Sequence, residues 1–146
     1  MSVRDFPDIP PVWAAGCFAA QFALSLLPGP APRAAPLGWA LIAAGLVLIA
    51  WSAWWFWRKS TSIEPREVPR RLIVEGPFRL NRNPIYTGMA LALAGTGVLL
   101  QSLLAVLLVL PFLLVITRRF VLGEEAALRA AFGPEAEAYL NRTRRW

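Results

Sequence analysis

Two short polar segments carry the side chains able to do chemistry. The first is Gly76-Pro77-Phe78-Arg79-Leu80-Asn81-Arg82-Asn83-Pro84-Ile85-Tyr86-Thr87-Gly88, a basic, turn-rich run that opens onto an apolar stretch at Ile85. The second is the acidic pair Glu124-Glu125, preceded by Arg118-Arg119. Arg82 and the loop amides suit a carboxylate, and the two glutamates can accept from an amine or from hydroxyls. Phe78 and Tyr86 offer ring faces to a planar base or to a cation. These residue types suit the holding of a charged small molecule beside an apolar one.

The rest of the composition narrows the possibilities. The chain has no histidine, which removes the commonest general base and the commonest metal ligand. No metal site is expected. Cys17 is the single cysteine and lies inside an apolar segment, so it reads as a small core or lipid-facing residue. The 146 residues are 57% hydrophobic, with mean hydropathy +0.50 and seven tryptophans, a composition of the membrane class. Net charge is +6. The basic residues sit just beyond apolar segments, and no soluble nucleic-acid-binding module is present, so nucleic acid is not an expected partner. The first ten residues mix Arg4 with Asp5, Asp8 and two prolines, unlike a cleavable signal peptide.

The elements that must position the polar segments follow from proline punctuation and hydropathy. The sequence predicts an all-α integral membrane protein of about four transmembrane helices with a C-terminal amphipathic helix, in one domain over 1–146. Spans are expected at about 12–27, 37–57, 84–100 and 103–117. Trp51, Trp54, Trp55 and Trp57 close the second as an aromatic belt. The third and fourth are short and nearly contiguous across Gln101-Ser102, as in a tight hairpin, with a kink expected at Pro111. Between spans two and three, the 58–83 connection includes a possible extended piece over 71–78 that ends in a turn. The tail over 118–146 reads as an amphipathic helix broken at Gly133-Pro134.

Topology follows from the lysines and arginines. The 58–83 connection holds seven and the tail six, whereas 28–36 holds only Arg33 and the 101–102 turn none. Four crossings with both termini and the long connection in the cytoplasm satisfy this distribution. The polar loop and the tail then meet on one side.

Gly76-Pro77-Phe78 followed by Arg82-Asn83-Pro84-Ile85-Tyr86-Thr87-Gly88 resembles the signature of the isoprenylcysteine carboxyl methyltransferase and phospholipid methyltransferase group. Glu124-Glu125-Ala126-Ala127-Leu128, Phe132-Gly133, Tyr139 and Arg144-Arg145-Trp146 resemble that group's C-terminal pattern. The resemblance covers about residues 70–146. It implies a membrane-embedded enzyme that binds S-adenosylmethionine between the loop and the C-terminal helices. By position, the cofactor residues it implies are Arg70, Arg71, Leu72, Ile73, Phe78, Arg82, Asn83, Pro84, Ile85, Tyr86, Glu124 and Glu125. It implies Arg119 or Arg118 as the arginine that orients the acceptor, with Glu124 the other catalytic candidate. Asn83 stands where the commonest relatives have histidine. Asparagine still donates and accepts hydrogen bonds.

Within this class the expected acceptor is lipophilic or a membrane lipid. A carboxylate acceptor needs no base, whereas a phospholipid amine or a small thiol must lose a proton, and the chain offers only carboxylates and tyrosines for that. The balance tilts toward carboxylate. The alanine-, arginine- and proline-rich chain reads as prokaryotic, in the cell membrane.

Each motif also has a plain structural reading. Arg82-Asn83-Pro84 can be a basic helix start, and Glu124-Glu125 a solvated first turn. Arg118-Arg119 and Arg144-Arg145-Trp146 can be interfacial anchors. Gly88, Gly95 and Gly97 suit close helix packing, and Gln21 a bond to a neighbouring helix. A non-catalytic membrane subunit or a transporter is the competing class. It predicts charged residues in mid-membrane, and apart from Gln21 the spans hold almost no polar groups.

Overall fold

The computed structural model describes residues 8–31, 33–60 and 70–146. The middle of the 58–83 connection, including Glu64, Arg66 and Glu67, lies outside the described residues, as do Arg4 and Asp5. Every regular element among the described residues is helical.

Prolines set the helix starts. Pro10-Pro11 open α1 (Pro10–Ser25), Pro36 lies in the first turn of α2 (Ala35–Arg58), and Pro84 starts α3 (Pro84–Leu99). A proline there loses only an N–H that has no helical partner anyway. Ser102 caps α4 (Leu103–Leu107), its hydroxyl accepting from the Ala105 amide at 3.3 Å. The ladder is interrupted at Leu108 and resumes as α5 (Val109–Ile116). This is the break expected from Pro111, which has no N–H to give the carbonyl four residues back.

Three sequence expectations change. The tail is no separate helix: a π turn at Thr117–Val121 joins α5 to α6 (Leu122–Arg142). Leu103–Arg142 is thus one 40-residue helical run, with its apolar part before Arg118. The expected break inside it is present, since Gly133 takes φ 50° and ψ −123°, backbone that L side chains avoid. Secondly, the piece over 71–78 forms no regular strand, while the turn expected at its end is present. Gly76–Arg79 form a 3-10 turn entered through Gly76 at φ 58°.

Thirdly, two helices rather than four are long and apolar enough to cross a membrane, α2 and the Leu103–Arg142 run. With 24 residues, α2 reaches about 36 Å, against a hydrocarbon core of about 30 Å. The 16 residues of α1 or of α3 give about 24 Å each.

Helix α3 is the hub. It packs along α2 through small residues at seven-residue spacing, Gly38 and Gly45 on α2 against Gly95 and Gly88 on α3. A Cβ at Gly45, Gly88 or Gly95 would strike the facing backbone, and one at Gly38 the Leu99 side chain, so the contact is largely main chain on main chain. Gly97 does the same against Val106, closing the α3–α4 hairpin. On the other flank the buried Gln21 of α1 donates to the carbonyls of Leu93 and Ala105, both at 2.8 Å. One polar side chain thus ties α1 to α3 and α4. Outward faces stay apolar, with Trp39, Val47 and Trp57 each more than 60% exposed. A surface of that kind suits lipid rather than water.

Opposite ends of the bundle are tied separately. At one end, the Leu103 amide donates to the Pro30 carbonyl at 3.1 Å, joining the α1–α2 connector to the α3–α4 turn. At the other, the Arg82 amide donates to the Arg144 carbonyl at 2.8 Å, so the polar loop and the tail do meet.

Candidate functional site

The site is built where loop 70–83, the first turn of α3 and the α6 tail converge. Asn81 Oδ1 accepts the Asn83 amide at 3.0 Å, a local turn that leads the chain into Pro84. The first helical turn then directs Tyr86 inward, and its hydroxyl donates to Glu124 Oε1 at 2.5 Å. Glu124 lies beyond the apolar part of its helix. Burial pushes its carboxyl above the usual range, the Tyr86 bond pulls it back, and the neighbouring Glu125 charge adds to the rise.

Glu125 points elsewhere, because adjacent helical positions diverge by about 100°. It is buried and takes both nitrogens of an Arg145 fork, Nε and Nη2, at 2.8 Å each. Arg82 Nη1 adds a third bond at 3.0 Å. These two guanidiniums, Arg145 first, hold the Glu125 carboxyl below the ordinary range despite its burial. The remaining nitrogens of Arg82 donate to the carbonyls of Thr143, at 2.7 Å, and Leu140. Asn83 Nδ2 donates to the Arg145 carbonyl at 3.1 Å.

Below this polar layer lies an apolar one. Ile73, Phe78, Tyr139 and Leu140 form a buried cluster, with Leu72, Val74, Trp55 and Phe56 packed against it. Phe78 meets Phe56 edge to face at 5.4 Å, and the Tyr139 hydroxyl donates to the Phe78 carbonyl at 3.0 Å. Burial raises the Tyr139 phenol to about 12. Lys59 at the end of α2 pairs with Glu75 at 2.6 Å and lowers that carboxyl. Trp55 Nε1 is buried without a hydrogen-bond partner, against Gly76. A Cβ at Gly76 would collide with that indole.

The structure therefore gathers Leu72, Ile73, Phe78, Arg82, Asn83, Tyr86, Glu124 and Glu125 into one region. Pro84 is fully buried at the start of α3, and Ile85 packs on the cluster that contains Tyr86. Arg70 and Arg71 are exposed at the edge of the loop. Arg118 is exposed on the π turn. Arg119 turns to the amino-terminal side, pairing with Asp8 through Nη2 at 2.8 Å and Nε at 3.0 Å and lying 5.4 Å from the Trp13 ring. It stands by a groove of about 560 Å3 between α1 and α5, lined by Trp13, Cys17, Leu108, Phe112 and Val115 among others. Phe112 is shared by the groove and the buried cluster around Tyr86.

Sequence reasoning missed three participants. Trp55 read only as part of an aromatic belt, Asn81 carried no visible role, and Arg145 read as an interfacial anchor. A signal for Arg145 did exist: of two adjacent glutamates on a helix only one can face Tyr86, so the other needs a cation of its own.

Among the described residues no group of three or more acidic or cysteine side chains is placed to hold a metal ion. What the region has is a half-buried carboxylate bonded to a phenol, a paired acid–arginine cluster, aromatic walls and an orphaned indole donor. Such a site defines a helical protein with membrane-length apolar helices and a polar layer at one end. Comparison with protein families makes this specific: residues 34–135 match the phospholipid methyltransferase family, and the chain belongs to it. Searches of the curated proteins and of the solved structures returned no match.

Proposed function

We propose that the protein is an integral-membrane methyltransferase that uses S-adenosylmethionine and acts on a lipophilic acceptor. The observation that carries this reading is the Tyr86–Glu124 bond, which joins the loop motif and the tail motif of a methyltransferase-family chain across 38 residues. The residues present fit the methyl donor. Glu124 can accept from its amine or ribose, and its charge opposes a sulfonium. The Trp55 indole N–H is a buried donor in want of an acceptor. Phe78 and the aromatic rings beside it supply a wall for adenine.

When bound, and held by Glu124, the Trp55 indole and the Phe78 wall, S-adenosylmethionine would supply an electrophilic methyl group for the acceptor lone pair. The protein positions and desolvates the reactants. Arg82 and Glu125 fix the loop against the tail. The acceptor's apolar part lies in the α1–α5 groove, with Arg119 or Arg118 at its polar end, and enters sideways from the bilayer. Four crossings place the loop and tail in the cytoplasm of a prokaryotic cell, with 1–146 as one domain.

An isoprenylcysteine-like carboxylate acceptor takes the methyl group with no proton to lose. A phospholipid amine is the second reading, and it has a specific observation behind it. Glu124, with its raised carboxyl range, is the kind of half-buried base that an ammonium acceptor requires. A small-thiol acceptor needs the same base. Calorimetry with S-adenosylhomocysteine on folded, detergent-purified protein tests the cofactor, and binding with 1:1 stoichiometry is expected. No heat and no competition with labelled donor would sink the proposal. Labelled methyl transfer to prenylcysteine analogues, ethanolamine phospholipids and small thiols then separates the acceptors.

A further inference from the structure

The last four residues, 143–146, lie beyond the 34–135 stretch matched by the family, yet they accept three hydrogen bonds from Arg82 and Asn83 of the loop. Arg82 and Asn83 give four bonds to tail carbonyls. The Arg82 amide goes to Arg144, Arg82 Nε to Thr143, Arg82 Nη2 to Leu140 and Asn83 Nδ2 to Arg145. The tail is held in turn by the Arg145 fork on Glu125. Glu125 is next to Glu124 on α6, and Asn83 is three residues from Tyr86 on α3. A closed ring of contacts therefore runs from Arg145 through Glu125 and Glu124 to Tyr86, and back through Asn83 to the Arg145 backbone.

We propose that the C-terminal residues 143–146 form a strap that fixes Tyr86 against Glu124, with Arg145 as its positioning residue and Glu125 as its anchor. The strap serves the cofactor site proposed above and rests on that reading. It divides the acidic pair. Glu124 faces the cofactor, while Glu125 and Arg82 are engaged with the strap and act through it. Arg145 sits at the rim, its side chain 37% exposed against 5% for Glu125, so its loss opens the ring without emptying a core.

Full-length protein in detergent tests this, with Arg145→Ala and Arg145→Lys beside wild type. Two readouts are used: hydrogen exchange of the 80–86 amides without ligand, and S-adenosylhomocysteine affinity from pH 7 down to pH 4. In Arg145→Ala the 80–86 amides exchange faster and affinity falls about tenfold or more, the scale of a small misplacement of binding groups. Arg145→Lys keeps a cation but not the fork and falls between.

The charged groups facing Glu125 are Arg82 from the loop, Arg145 from the tail and Glu124 on its own helix. Removing Arg145 lets Glu125 protonate at higher pH, so the acid limb of binding moves upward. Affinity that falls in Arg145→Ala only at pH values where the protein unfolds overturns the strap. Unchanged exchange at 80–86, or wild-type affinity in Arg145→Ala, overturns the strap. If Arg145→Ala does not fold, the same two outcomes are read from Arg145→Lys. Wild type that binds no S-adenosylhomocysteine defeats the proposed function instead, and the exchange comparison still decides whether the strap exists.

Discussion

At the scale of single residues, the Tyr86–Glu124 pair concentrates the chemistry. The phenol is the hydrogen-bond partner of a half-buried carboxylate, and a hydrogen bond to a charged group is worth about 1.5–3 kcal/mol. Tyr86→Phe is expected to weaken S-adenosylhomocysteine binding roughly 10- to 100-fold while the protein still folds, as read by calorimetry. Glu124→Gln is expected to weaken it at least as far. Binding at wild-type strength in both would remove the pair from the site. Glu125 titrates in the opposite sense. Its folded-state carboxyl lies below the unfolded reference of 4.5, so its contribution to stability is complete above that pH. The contribution is lost as pH falls through the depressed value. The Glu125 share of thermal stability in detergent should therefore be complete above that reference and drop below it, and Glu125→Gln should flatten the drop. Tyr139 behaves as a raised acid. Its share of stability is present below pH 10 and lost as pH rises toward about 12, and Tyr139→Phe removes that alkaline limb.

At the scale of elements, the α2–α3 contact and the joined α5–α6 run do the positioning. Backbone-to-backbone packing leaves no room for a side chain at Gly45 or Gly88. Gly88→Val should destabilise the protein by about 3 kcal/mol or more, at or beyond the usual cost of overpacking. Gly16→Ala, with open space around it, should be neutral or slightly stabilising in the same melting experiment. A Gly88→Val protein melting with wild type would mean that α2 and α3 do not meet as described. The π turn has a separate consequence. By adding a residue to one turn it resets helical phase between the apolar face of Phe112 and Ile116 and the acidic pair. Arg119 is left facing Asp8 while Glu124 and Glu125 face the loop.

At the scale of the whole molecule, the two ends are chemically different. One carries the Pro30–Leu103 tie and little charge; the other carries the loop, the strap and most of the arginines. With Cys17 replaced by serine, single cysteines at Gln101 and Arg144 should label from opposite sides. A membrane-impermeant maleimide should reach Gln101→Cys in intact cells and Arg144→Cys only after lysis. Labelling of both from outside would remove the four-crossing arrangement. Apolar helices of 16 residues can complete such an arrangement where neighbours bury them, as α2 and α4 bury α3.

Local chemistry determined what the sequence alone could say. Prolines mark the helix starts, Gly133 marks the break in the tail, and apolar runs beside clustered arginines mark membrane-length helices, because each depends on residues near in the chain. The order of the loop and tail motifs carried the family. Helix length was less legible, since nothing local separates the fourth apolar segment from the tail that continues it through a π turn. Tertiary structure alone decided the partners. Glu124 and Glu125 are neighbours of the same type, yet one meets a phenol 38 residues away and the other meets arginines 43 and 20 residues away. Helical phase assigns those roles, and phase is fixed by packing: one extra residue in the π turn would exchange the faces without changing the composition of either motif.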